Sequence, residues 1–256
     1  MPDSLFTAFT SERCPDWLCP ECHNASLAIL PGSFSDGPCA DTVKLKNEIW
    51  FDTEHYKFIF SCRLICERSG CQETVAVSGT GWVDQVYGYD EQGNQEQNFI
   101  KMYEAKTFYP PLPLFIPPEG CSENLLNRLS DISALLTGHA AAAANAIRSL
   151  PEVLLDDLEA PRIEMRKGKK DIVLKLHHRI ENYQHKFGNL GDGLMALKHM
   201  GNSGSHGNDS IRRQHLEDAC HVIEQIVTQL CKREADLTEK IARLHKAYAP
   251  TLTSKN

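Results

Sequence analysis

No run of apolar residues in this 256-residue chain approaches the roughly 20 needed to cross a bilayer, so no membrane partner is expected. The opening stretch MPDSLFTAFTSERC lacks the basic and apolar regions of a secretory signal, and the expectation is a cytoplasmic protein. A surplus of positive charge is missing as well. Lys and Arg number 27 against 34 Asp and Glu, a net charge of −7. That balance excludes adhesion to nucleic acid by bulk electrostatics and leaves any RNA contact to a local basic patch. There is no internal repeat, and the only biased tract is the alanine run from Ala140 to Ala144.

Cysteine, by contrast, is abundant: ten residues, many for a reducing compartment, where metal binding explains them better than disulfides. CPEC places Cys19 and Cys22 two residues apart, so that one turn aims both thiolates at a single point. CERSGC offers a second pair, Cys66 and Cys71, at the tip of a predicted hairpin. Four thiolates complete a closed tetrahedral shell, which points to a structural zinc with no catalytic position. The second pair is spaced more widely than usual, so Cys62 is an alternative to Cys66, with Cys14, Cys39 and His23 in reserve. The plain alternative is a set of buried cysteines acting as small hydrophobes. A redox role for CPEC is disfavoured, because no βαβ pattern surrounds it.

The predicted fold class is α+β, in two halves of different habit. In residues 1–108, KFIFSCRLIC alternates with period two, ETVAVSGTGWVDQVYGY reads as a second strand, DEQGNQ as a turn and NFIKMYEAKTF as a third strand. This half is expected to be a small β-rich, zinc-ribbon-like domain. YPPLPLFIPPEG, residues 109–120, holds five prolines and is read as a stiff connector at a domain boundary. Residues 121–256 read as an all-α bundle. Ser122 is positioned to cap the first helix. HAAAAANAIRSLPEVLLDDL is a second helix, which Pro151 kinks or divides. DIVLKLHHRIENYQHKFGN is a third, closed by Gly188, and GDGLMALKHM a short fourth. A long terminal helix opens at Asp209 or Ser210 and carries Leu216 through Leu237, Ile241 and Leu244. Its length would let its distal turns pair with another subunit.

Between the last two helices lies KHMGNSGSHG. Its glycines and Asn202 suit a junction where one helix ends through a left-handed residue, with His206 bonding a carbonyl or capping the next helix. The same residues also suit a polar site built on Asn202 and His206. A three-histidine metal site from His199, His206 and His215 is a further alternative. Arg148 and Glu152 stand one turn apart and can pair, and Arg148 is otherwise a bridge locking the bundle. MRKGKKD is the one concentrated basic run, read either as a solvated loop or as a contact for a nucleic-acid backbone.

The cysteine-paired N-terminal part, the YPP connector, AIRSLPEVLL and LKHMGNSGSHG, in that order over roughly residues 14–248, resemble the bacterial domain-of-unknown-function family 4145. Members occur alone or attached to restriction and other defence enzymes, and the helical part looks related to the HEPN superfamily of nucleotide-binding bundles and RNases. The resemblance implies a bacterial defence- or stress-associated protein, a homodimer with both motifs lining one cleft, that binds RNA or a nucleotide. If it acts as a metal-independent endoribonuclease, His206 moves the proton and Asn202 orients the phosphate or the histidine, with Lys198 or Arg148 as the cation. The residue before Asn202 is Gly201, where the superfamily motif has arginine. The alternative is a non-catalytic interaction or regulatory module that docks onto a restriction, toxin or other defence partner.

Overall fold

In the computed structural model, residues 5–89, 93, 95–166, 170–187, 190–206, 211–231 and 243 are described, with the backbone alone for 89, 185–187 and 203–206. Strand β3 (Lys57–Cys66) shows how the N-terminal half becomes a sheet. Phe58, Phe60, Cys62, Leu64 and Cys66 are buried, while Lys57, Ile59, Ser61 and Arg63 are exposed. That is the period-two pattern of a half-buried strand, as expected from KFIFSCRLIC. β4 (Thr74–Tyr89) pairs antiparallel along one edge of β3, setting Val75 opposite Leu64 and Val77 opposite Cys62. β1 (Leu27–Ile29) and β2 (Ser35–Pro38) share the other edge, β1 against Leu64–Cys66 and β2 against Phe58–Ser61. β5 (Gln95–Tyr109) continues the sheet beyond β4. The expected strands over ETVAVSGTGWVDQVYGY and NFIKMYEAKTF are therefore present. Most of the predicted DEQGNQ turn lies outside the described residues, although Gly93 has the positive φ of 84° that suits a turn glycine.

One irregularity in this sheet docks the helices. Pairing slips between Ser78 and Gly79, which leaves Lys106 as an extra residue on β5. The Lys106 carbonyl accepts a hydrogen bond from Thr137 Oγ1 at 3.0 Å, at the end of α2 (Glu123–Leu136). A Cβ on the next residue, Gly138, would lie 2.7 Å from that carbonyl oxygen, so glycine permits the approach.

Among the described residues nearly all the buried apolar side chains form one continuous cluster. It runs from Phe60, Leu64 and Tyr103 on the sheet, through Leu112, Leu114 and Phe115, to Leu125, Ile147 and Ile223 on the helices. The proline-rich segment is thus a packed element of the core, and the Leu112 carbonyl accepts a hydrogen bond from Ser133. Each fully buried side chain of this kind contributes about 1.5–3 kcal/mol.

The helical half contains α2, α3 (Ala140–Asp157), α4 (Leu176–Phe187), α5 (Gly191–His206) and α6 (Arg213–Cys231). With α1 (Ala40–Leu45) there are six α-helices among the described residues. Ser122 caps α2 as expected, its Oγ accepting from the Leu125 N–H at 3.1 Å. α3 continues through Pro151, which is buried inside it, so no new segment starts there. Two predicted boundaries move. Ile172 and Val173, expected to open the third helix, form β7 and pair with β6 (Ile163–Glu164), because β-branched side chains favour the extended ribbon. α5 does not stop at Met200 but runs to His206. Gly188, Asp209, Ser210, Leu237, Ile241 and Leu244 lie outside the described residues. Among the described residues no helix is long and apolar enough to cross a membrane.

Candidate metal centre and helix-crossing site

Two loops converge at one end of the sheet. The first is the CPEC turn, in which the His23 N–H donates to the Cys19 carbonyl at 2.9 Å and the Cys19 N–H to the Asn24 carbonyl at 2.8 Å. The second is the β3–β4 connection, where the Cys71 N–H donates to the Arg68 carbonyl at 2.9 Å and the Cys66 N–H to the Glu73 carbonyl at 2.8 Å. Each loop leaves its second cysteine through a left-handed residue, His23 and Gln72, both at φ 56°. The local turn chemistry is therefore the same despite the different spacing.

These turns bring Cys19, Cys22, Cys66 and Cys71 together, their sulfurs all within 4.8 Å of one another. The Cys19–Cys71 and Cys22–Cys66 pairs are each 3.7 Å apart. A tetrahedron of sulfurs at about 2.3 Å from a central ion has edges of about 3.8 Å, so the donors fit a metal ion in both chemistry and spacing. Burial pushes the Cys19 thiol up to about 12, whereas the Asn24 backbone N–H pulls Cys22 down to about 6. At Cys66 burial is outweighed by the Ser26 hydroxyl, 3.0 Å from its sulfur, and by the Arg68 backbone, leaving this thiol below its ordinary value. Cys71 ends above its ordinary value, the help of the Glu73 backbone being outweighed by burial and by the Cys66 and Cys22 thiols. Four thiolates this close repel one another, and a divalent cation makes all four favourable at once.

The alternative ligands fall elsewhere. Cys62 is buried on the core face of β3, and burial, with the Cys14 thiol nearby, pushes it up to about 12. Cys14 donates to the Leu27 carbonyl at 3.3 Å, and Cys39 sits at the N-cap of α1. None of the three joins the four-sulfur cluster, nor does His23.

The second predicted site lies where α5 crosses α3. Arg148 Nε donates to Asn202 Oδ1 at 2.7 Å. The contact depends on Gly201. A Cβ there would lie 2.1 Å from Arg148 Cβ and 2.8 Å from the Ala144 carbonyl oxygen, so the helices meet only because the side chain is absent. No arginine fits at position 201 in this packing, and the guanidinium beside Asn202 comes instead from α3. Arg148 does bridge two helices, but the bridge is exposed, not buried as expected, and among the described residues its hydrogen bond goes to Asn202 rather than Glu152.

Lys198, Asn202 and His206 follow one another at four-residue intervals on α5, hence along one side of it. Because 201–206 are helical, the left-handed exit at Gly201 and Asn202 does not occur. The His206 side chain lies outside the described residues, as do Lys167 and Lys169 of the basic run. His199 is exposed, and His215 Nδ1 accepts from the Arg212 N–H at 3.4 Å at the start of α6. Sequence reasoning left the partner of Arg148 open. The signal that finds it is the glycine directly before Asn202, which marks a close helix crossing.

Residues 7–108 match a family described as a domain of unknown function (DUF8608), and residues 130–247 match a second, likewise described as a domain of unknown function (DUF4145). The resemblance expected over residues 14–248 is thus found in the helical half, while the N-terminal half matches a family of its own. No curated protein and no solved structure matches the chain.

Proposed function

We propose that this chain is an RNA-binding protein of bacterial defence or stress response, in which a zinc-ribbon-like half is joined to a HEPN-like helical half. Zinc is the metal that four tetrahedral thiolates suit best, and its role is structural because the protein fills every coordination position.

The observation that carries the functional reading is the Arg148–Asn202 contact. A superfamily motif would place its arginine beside the asparagine in sequence; here α3 supplies one in space. With Nε held by Asn202, the outer edge of the guanidinium is oriented for two phosphate oxygens, the bidentate grip at which arginine surpasses lysine. Lys198, one turn earlier on α5, adds a second cation on the same side. In this reading His206 moves the proton at the ribose 2′-hydroxyl or the leaving oxygen while Arg148 steadies charge on the phosphate. A homodimer sets two such sites along one cleft. The competing reading is a non-catalytic module docking onto a defence partner, favoured by the exposed apolar side chains of Tyr87, Phe99, Met165 and Val173.

The test follows labelled single-stranded RNA with wild type, Arg148→Ala and His206→Ala, in excess chelator and with the protein-bound metal verified. Wild type is expected to bind, Arg148→Ala to bind about tenfold more weakly, the loss of one charged hydrogen-bonding group, and His206→Ala to bind without cleaving. A folded wild type that neither binds nor cleaves would overturn the RNA reading in favour of the docking module.

A further inference from the structure

Two ribbons leave apolar side chains uncovered. The first is the distal part of the β4–β5 hairpin. Asp84 pairs with Ile100, Gln85 with Phe99, Val86 with Asn98 and Tyr87 with Gln97. Cross-strand partners share a face, so Val86 and Ile100 lie on one face while Tyr87 and Phe99 lie on the other. All four are exposed, Tyr87 at 65% and Phe99 at 53%. Neither face rests on the core, and every β5 residue from Gln95 to Lys101 is exposed. β5 is also the last strand of its sheet. Among the described residues its outer backbone edge is engaged at Tyr103, by Phe9, and no strand lies along Gln95–Lys101. An arm that exposes apolar side chains on both faces and has an open edge is marginal in water and suited to pairing.

The second is the β6–β7 ribbon, whose Ile163, Met165, Ile172 and Val173 are exposed, Met165 at 86% and Val173 at 74%. Its strands pair with each other alone among the described residues, so both outer edges are open too. The two ribbons differ in charge. Residues 84–100 contain four acidic residues and no Lys or Arg. Residues 162–175 contain six basic residues against two acidic ones. In a chain of net charge −7, this positive concentration is the natural complement of the acidic arm.

We infer that the acidic β4–β5 arm of one copy docks on the basic β6–β7 ribbon of a second copy of this chain. Every chain carries both surfaces, so two copies related by a two-fold axis engage reciprocally, each arm on the other's ribbon, and such an assembly closes as a dimer. Apolar contact between the arm and ribbon side chains gives the affinity, and the opposite charges select the pairing and its orientation. This interface uses neither Arg148 nor Asn202, so it can fail while the RNA contact proposed for those residues holds, and the reverse.

The test uses the full, metal-loaded chain in sedimentation equilibrium at low and high salt. One variant reverses the arm (Asp84→Lys, Gln95→Lys, Glu96→Lys and Gln97→Lys) and another the ribbon (Arg166→Glu, Lys170→Glu and Lys175→Glu), enough changes to turn each from its own sign to the opposite one. These exposed side chains can be exchanged without touching the core, and circular dichroism checks the fold. Wild type is expected to dimerise at micromolar concentration and to associate more weakly as salt rises. Each reversed variant alone is expected to self-associate about tenfold more weakly or worse. An equimolar mixture of the two variants restores the dimer, because each arm then meets a ribbon of opposite sign. A monomeric wild type overturns the inference, and so do variants that dimerise as wild type does. A monomeric wild type whose ribbon-reversed variant alone loses a labelled polynucleotide also overturns it, and assigns the ribbon to phosphate.

Discussion

The candidate metal centre and the α3–α5 crossing assemble their polar groups by different means. At the metal centre, two short turns each present two thiols, and their own backbone hydrogen bonds shape them before the sheet brings them together. At the helix crossing, Arg148 and Asn202 lie 54 residues apart, and what joins them is the absence of a side chain at Gly201. Donor type and spacing are local and survive in the sequence as motifs. The meeting of two helices is a packing outcome, visible only as a glycine whose reason lies on another element. The two sites should therefore fail differently when disturbed.

Metal removal gives the largest effect. Structural zinc supplies about 10–16 kcal/mol of apparent binding energy in small domains, against a total stability of about 5–15 kcal/mol for a whole domain. Chelation strong enough to strip the ion, or Cys66→Ser, is expected to unfold the sheet end, read as loss of near-ultraviolet circular dichroism from Trp17 and its neighbours. Cys62→Ser, four residues earlier on the same strand, should leave the metal content unchanged. If Cys62→Ser lost the metal and Cys66→Ser kept it, the ligand assignment would be wrong.

Gly201→Leu comes next. Its side chain would have to displace Arg148 and the Ala144 carbonyl, and overpacking of this kind costs about 3 kcal/mol. The expected signature is a lower thermal midpoint with the metal fully retained, which separates the two regions. Loss of metal in this variant would show that the halves fold as one unit with no independence at the sulfur site.

A third, smaller effect is acid-sensitive. Arg162 first, and then Arg179, hold the Asp156 carboxyl below its ordinary value of 3.8, against the opposing effect of burial. Arg179 is buried and reaches Asp156 Oδ1 at 2.7 Å. A carboxyl with a depressed folded-state pKa contributes stability that is fully present above its unfolded value and is lost as pH falls through the folded one. Asp156→Asn should cost about 1–3 kcal/mol at neutral pH, by weakening the partner of a buried guanidinium. The cost should shrink as the pH falls below about 4. A pH-independent cost in denaturant titrations would assign Asp156 a purely packing role.

The smallest change in stability is expected from Arg148→Ala. An exposed hydrogen bond contributes about 1 kcal/mol or less, so this variant should melt close to wild type while, on the proposed reading, binding RNA more weakly. A large destabilisation would make the contact a structural bridge after all.

Much of the sheet was legible because one face of β3 must be buried, and that requirement writes a period of two into KFIFSCRLIC. CPEC was equally legible, since two thiols at that spacing have few other uses. GNSGSH was not, because every local preference of glycine, serine and asparagine argues against helix. The packing of Gly201 against α3 overrides those preferences and carries α5 to His206. Ile172 and Val173 misled in the opposite direction, continuing an apolar pattern into the third helix although their pairing with Ile163 and Glu164 makes them strand. The Lys106 bulge, which docks the sheet on α2, has no sequence signal of its own beyond the small residue at Gly138 that accommodates it.

The central claim is that four sulfurs from two turns hold one metal ion. X-ray absorption at the metal edge of the purified chain tests this most directly. The expected result is one ion per chain with four sulfur neighbours at about 2.3 Å and no nitrogen or oxygen in the shell. A folded chain without metal, or a shell containing histidine nitrogen in place of one sulfur, would contradict it.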